Sequence, residues 1–74
     1  MELVRNKASG QFFVVLDDNG GPDFLVATPE GKVKRLDRHL FRVSNMADPE
    51  DLQLRKHLTT KQMDIYATYF NDDR

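Results

Sequence analysis

Five consecutive apolar residues, Phe12-Phe13-Val14-Val15-Leu16, place the tightest constraint on this chain of 74 residues. Aromatic and β-branched side chains suit a pleated surface and lose rotamer freedom in a helix, so the run predicts a strand over Gln11 to Asp17. An unbroken apolar strand needs cover on both faces: a core on one side and a neighbouring element on the other. A chain of this length has room for one core, buries only about 60% of the surface its unfolded form exposes, and is expected to form one domain. It has no cysteine, so neither disulfides nor thiolate zinc can reinforce that core. Tight packing or self-association must do so.

The rest of the first half reads as strands around this one. Glu2 to Lys7 predicts a short first strand, ended by Ser9-Gly10. Asp17-Asp18-Asn19-Gly20-Gly21-Pro22 gathers residues that tolerate positive φ, followed by a proline that cannot donate to a ladder, so the chain turns there. Asp23 to Thr28 predicts the next strand, Thr28-Pro29-Glu30-Gly31 a turn, and Lys32 to Leu36 a third strand of an antiparallel meander. Asp37 to Leu40 interrupts the pattern for about one turn. Phe41 to Val43 resumes it, with Phe41 and Val43 on one face and Arg42 on the other. That order is the one of a small SH3-like five-stranded barrel over residues 1–44, which closes a short twisted sheet on itself and leaves few open edges.

A helical tail over residues 48–71 is expected to pack across it. Asp48-Pro49-Glu50-Asp51 combines an N-cap acceptor, a proline at the first helical position and acids against the positive end of the macrodipole. Thr59 with Gln62 three residues on reads as a capping box, so a second helix is expected from Thr60 to about Phe70. Met63, Tyr66, Ala67 and Phe70 fall at helical spacing on one stripe, widened by Ile65 and Tyr69.

No catalytic spacing is present: Ser9 and Ser44 lack His–Asp partners, and neither a phosphate-binding loop nor a dinucleotide fingerprint occurs, so the chain is expected not to be an enzyme. Asp17, Asp18 and Asp23 read as a polar hairpin tip rather than a calcium loop. His39 and His57 lack a further soft ligand, and are expected to pack in the turn before the last strand and to sit at a helix end. No metal, cofactor or small-molecule substrate is implied. The longest apolar run suits neither a secretory leader nor a membrane span, so the expected location is the cytoplasm.

Charge distribution says more than the net charge of −1. From Lys32 to Arg42 five cations stand against Asp37 alone, a net of +4, while residues 47–74 sum to −2. Lys32, Lys34, Arg35, Arg38 and Arg42 are therefore candidate contacts for successive phosphates of a nucleic acid. A solvated strand edge that discourages unwanted pairing explains the same residues. Phe12, Phe13, Phe24 and Phe41 are expected in the core rather than as stacking platforms. Met63, Tyr66 and Phe70 likewise admit two roles, packing on their own barrel or docking a protein partner or a second copy.

The segment from Lys7 to Val43 resembles the KOW-type RNA-binding barrels of ribosomal proteins and small bacterial ribosome-associated proteins. The likeness lies in FFVVL after a Ser-Gly turn, then DFLVA, then a GKVKRL strand leading to Arg38-His39-Leu40. It lacks the dense lysine run that usually precedes the His-Leu, and it adds an acidic tail. The resemblance implies an SH3-like fold and contact with RNA or the ribosome, with Lys32, Lys34, Arg35 and Arg38 at the matching basic positions.

Overall fold

The computed structural model describes residues 1–46 and 56–71. Five antiparallel strands, β1 (Glu2–Asn6), β2 (Phe12–Asp17), β3 (Asp23–Ala27), β4 (Val33–Asp37) and β5 (Phe41–Met46), form one sheet in the order β4-β3-β2-β1-β5. A 3₁₀ turn at Arg38–Leu40 links β4 to β5, and one α-helix among the described residues, α1 (Thr60–Phe70), follows.

Both faces of β2 are covered. Phe13 and Val15 join Val4, Phe24, Val26 and Phe41 in an inner cluster, closed further by Leu36. Its aromatic rings meet edge-on, with Phe13 and Phe41 centroids 4.9 Å apart. Val14 and Leu16 point the other way, into a cluster with Leu3 and Ala27 that Ile65 and Tyr66 of α1 and Leu58 help to cover. The curl that creates the inner cluster is sharpened by two bulges. Leu16 is the extra residue between Val15↔Val26 and Asp17↔Leu25, and Ser44 the extra one between Leu3↔Asn45 and Val4↔Val43.

The sheet stops short of closing. β4 and β5 are its two edges and no ladder joins them, so the expected closed barrel is an open half-barrel. They approach only where the three-residue 3₁₀ turn bridges them. That turn is held by Arg38 N–H donating to the Pro22 carbonyl and Leu40 carbonyl accepting from Lys7 N–H. Val43 shows the consequence: it lies opposite Val4 on the inward side, yet is 73% exposed because no strand covers it.

Helix α1 begins as its sequence signal requires. The Thr59 hydroxyl accepts from Gln62 N–H and the Gln62 side chain accepts from Thr59 N–H, a complete capping box. The same Gln62 is the most deeply buried residue of the helix, at 0% exposure. Its amide nitrogen donates to the carbonyls of Phe12 (2.8 Å) and Ala27 (3.1 Å), just past Val14↔Ala27, where the β2–β3 ladder ends. One side chain thus satisfies two strand carbonyls, each of which would cost about 1–3 kcal/mol if left buried and unpaired. The helix start also presses on the β3–β4 turn: a Cβ on Gly31, already at φ +89°, would sit 2.9 Å from the Lys61 Cβ. No other residue suits that position.

Of the expectations for the tail, one lies largely outside the described residues and one changes. The helix expected to open at Asp48-Pro49 falls mainly on residues 47–55, outside the described residues, and where description resumes Lys56 to Leu58 form turns. The docked face of α1 is rotated away from Met63-Tyr66-Ala67-Phe70. Gln62, Ile65 and Tyr66 face the sheet, while Ala67 is exposed and Phe70 is 53% exposed. The polar Gln62 took the central place because it alone can answer the two free carbonyls. No helix among the described residues is long and apolar enough to cross a membrane.

Candidate anion-binding site

The five cations between Lys32 and Arg42 do not form one surface, because the sheet order sends β4 and β5 to opposite edges. Lys32 and Lys34 are exposed at the β4 edge. There Glu30 lies near both; its carboxyl is held below its ordinary value first by its own N–H and the Thr28 hydroxyl, and then by these two lysines. Arg35, next along β4, donates to Asp23 at 3.2 Å.

Arg38 is committed to the fold. Its guanidinium donates through Nε to the Gly21 carbonyl at 2.8 Å and through both terminal nitrogens to the Asp18 carboxylate. It also lies over the Phe24 ring at 5.1 Å from the centroid. These hydrogen bonds, with a further one from Gly20 N–H, hold the Asp18 carboxyl below its ordinary value and raise that of Arg38. His39, expected to pack in this turn, is instead exposed; its backbone N–H caps the turn on the Asp37 carboxylate at 2.7 Å, which lowers the Asp37 pKa.

Arg42 has different company. It lies directly opposite Arg5 in the β1–β5 ladder. Arg5, Lys7 and Arg42, with Asn6 and Gly10, line a cleft of about 200 Å³ that has three cations and no carboxylate in its walls. The turn after β1 shapes it. The Asn6 side-chain oxygen accepts from Ala8 and Ser9 N–H at 2.9 Å each, and Gly10, at φ +75°, aims its carbonyl at Arg5 Nε (3.1 Å). None of the three cations has an ion-pair partner among the described residues. Like charges directly opposite in a ladder oppose folding, so Arg5 and Arg42 concentrate positive potential at a cost in stability.

The same corner carries aromatic surface that the sequence placed in the core. Phe12, alone of the four strand phenylalanines, is half-buried on the outer face. Arg5 sits over its ring at 5.6 Å, and His57 stacks on it with centroids 4.7 Å apart and planes 27° from parallel. His57 therefore belongs to this stack; the helix at whose end it was expected falls on residues outside those described. Arg5 and Lys7 escaped the sequence reading because they lie far from the basic segment. The signal that could have found them is the antiparallel pairing of first and last strands, which brings residues 5 and 42 together.

A second surface lies across the molecule. Val33, Asp64, Ile65, Thr68 and Tyr69 line a shallow cleft of about 320 Å³ beside β4. Val33, Tyr69 and Phe70 are exposed, and Phe70 rests against Tyr66 and Tyr69. Of the expected partner-docking residues, Met63 and Tyr66 are half-buried and Phe70 is exposed. Among the described residues no cluster of His, Asp or Glu could hold a metal ion.

No protein-family model matches the chain, and no curated protein or solved structure was found to be similar to it.

Proposed function

We propose that the protein is a non-enzymatic module that binds the phosphate backbone of RNA, ribosomal RNA included, through Arg5, Lys7 and Arg42. The observation that carries this reading is the cleft with three cations, no carboxylate and a like-charge pair across one ladder. The strand order β4-β3-β2-β1-β5 and the 3₁₀ turn before β5 support an SH3-like reading of the half-barrel, and with it the resemblance to KOW-type barrels. The site differs from the one that resemblance implies: Arg35 and Arg38 are engaged with Asp23 and Asp18, and Lys32 and Lys34 serve as a solvated edge.

The test is fluorescence anisotropy with a labelled oligouridylate over a salt series. Three neutralised phosphates give a log–log slope of about −2, since each contributes roughly −0.7 on a single strand. Arg5→Ala with Arg42→Ala should weaken binding at least tenfold and flatten the slope, whereas Lys32→Ala with Lys34→Ala should do neither. Salt-independent binding, or equal loss from both pairs, would refute the assignment.

A second reading, association with a protein or a second copy through the tail, is favoured by the 53% exposure of Phe70, which packs on Tyr69. Sedimentation velocity decides its self-association form: a monomer at all concentrations, unchanged by Phe70→Ser, removes it.

A further inference from the structure

We propose that the cationic cleft takes single-stranded rather than duplex RNA, with one base stacked on the outer face of His57 while an adjacent phosphate sits between Arg5, Lys7 and Arg42. This rests on the RNA-binding reading and adds the form of the ligand. Arg5 is the junction of two recognition elements, one wall of the cleft on one side and a cation over the Phe12 ring on the other. Phe12 thus has two ring-face neighbours, the Arg5 guanidinium at 5.6 Å from its centroid and the His57 imidazole at 4.7 Å between centroids. His57 is solvent-exposed, and its ring face away from Phe12 is the one a base would meet.

The aromatic part of this geometry selects for an unpaired strand. The cleft, at about 200 Å³, takes a phosphate group rather than a helix groove. In A-form RNA the base faces are stacked on one another within the duplex, whereas a splayed base can lie flat on an imidazole or phenyl ring. Stacking tolerates any base because every base has a π-face, so binding should vary little with sequence. Phe12 is half-buried against the cluster of Leu3, Val14, Leu16 and Ala27, so the ring under His57 is anchored in the sheet. Arg5 Nε is fixed by the Gly10 carbonyl, which sets the guanidinium plane before any ligand arrives.

The experiment uses the full chain with three RNAs of equal length: oligouridylate, oligoadenylate and a blunt hairpin duplex, each with and without His57→Ala. The two single strands should bind within a few-fold of each other and more tightly than the duplex. His57→Ala should weaken both by about tenfold while leaving duplex binding and the salt slope unchanged, since the phosphate contacts remain. His57→Tyr should restore single-strand binding. Duplex binding as tight as single-strand binding, or a His57→Ala protein that binds oligouridylate normally, overturns the inference while the RNA-binding reading stands. Failure of all three RNAs to bind at low salt overturns both.

Discussion

Arg38 opens the 3₁₀ turn and Arg42, four residues on, lies beyond it in β5, yet their surroundings are opposite. Arg38 has a carboxylate, a backbone carbonyl and a phenyl ring arranged about its guanidinium. Arg42 faces another arginine and opens on a cleft without a carboxylate. The first arrangement closes a fold, joining the β2–β3 hairpin to the turn that carries the chain from β4 towards β5. The second holds charge in reserve. The side-chain type is the same, so the difference arises from topology, which brings Asp18 to one residue and Arg5 to the other.

The most damaging way to break the comparison is to remove the shelf under Arg38. Phe24→Leu takes a ring from the inner cluster, where it packs on Phe41 at 5.6 Å, and leaves the Arg38 guanidinium without its face contact. A loss of about 1–2 kcal/mol in unfolding free energy is expected from urea denaturation. Oligouridylate affinity of the folded protein should stay the same. A drop in affinity as large as that in stability would show that the two regions are not separate.

Arg38→Ala is the milder version and should lower Tm by several degrees with no effect on RNA affinity. Its acid counterpart follows from linkage. The Asp18 carboxyl is held below its ordinary value near 3.8 by Arg38 and the Gly20 N–H. Its contribution is therefore present above that value and is lost as pH falls through the lowered folded-state pKa. Asp18→Asn should remove that part of the acid-induced loss of Tm below pH 3.8. If the variant and the parent lose stability in parallel down to that range, the Asp18–Arg38 pair is not what the pH senses.

Local rules made most of the frame legible. The run Phe12 to Leu16 demanded two covers and has them; Thr59 and Gln62 announced the start of α1; and the break at Asp37 to Leu40 is a 3₁₀ turn. Long-range pairing made the rest illegible. A helical stripe counts apolar residues, so it could not show that Gln62 would sit at the centre of the interface, a place decided by two carbonyls on β2 and β3. A run of charge along the chain could not reveal that neighbouring cations would part to opposite sheet edges, nor that Arg5 and Lys7 would join Arg42. Closure of the sheet likewise depends on whether its edges meet, which strand order alone leaves open.

The smallest effect is the most discriminating. Arg42→Glu turns the like-charge Arg5–Arg42 pair into one of opposite sign, without touching a buried group. Opposed charges of unlike sign across a ladder are worth about 0.2–1 kcal/mol, so the variant should be slightly more stable than the parent in urea. It also places a carboxylate in the cleft that is proposed to hold phosphate, so oligouridylate binding should fall more steeply than with Arg42→Ala. Stability and binding then move in opposite directions from one substitution, which an arginine serving only as a solvated edge would not produce. A neutral edge residue would leave RNA binding unchanged, and a structural one like Arg38 would lower stability. Only a cation kept for a ligand gives the pairing of gain and loss.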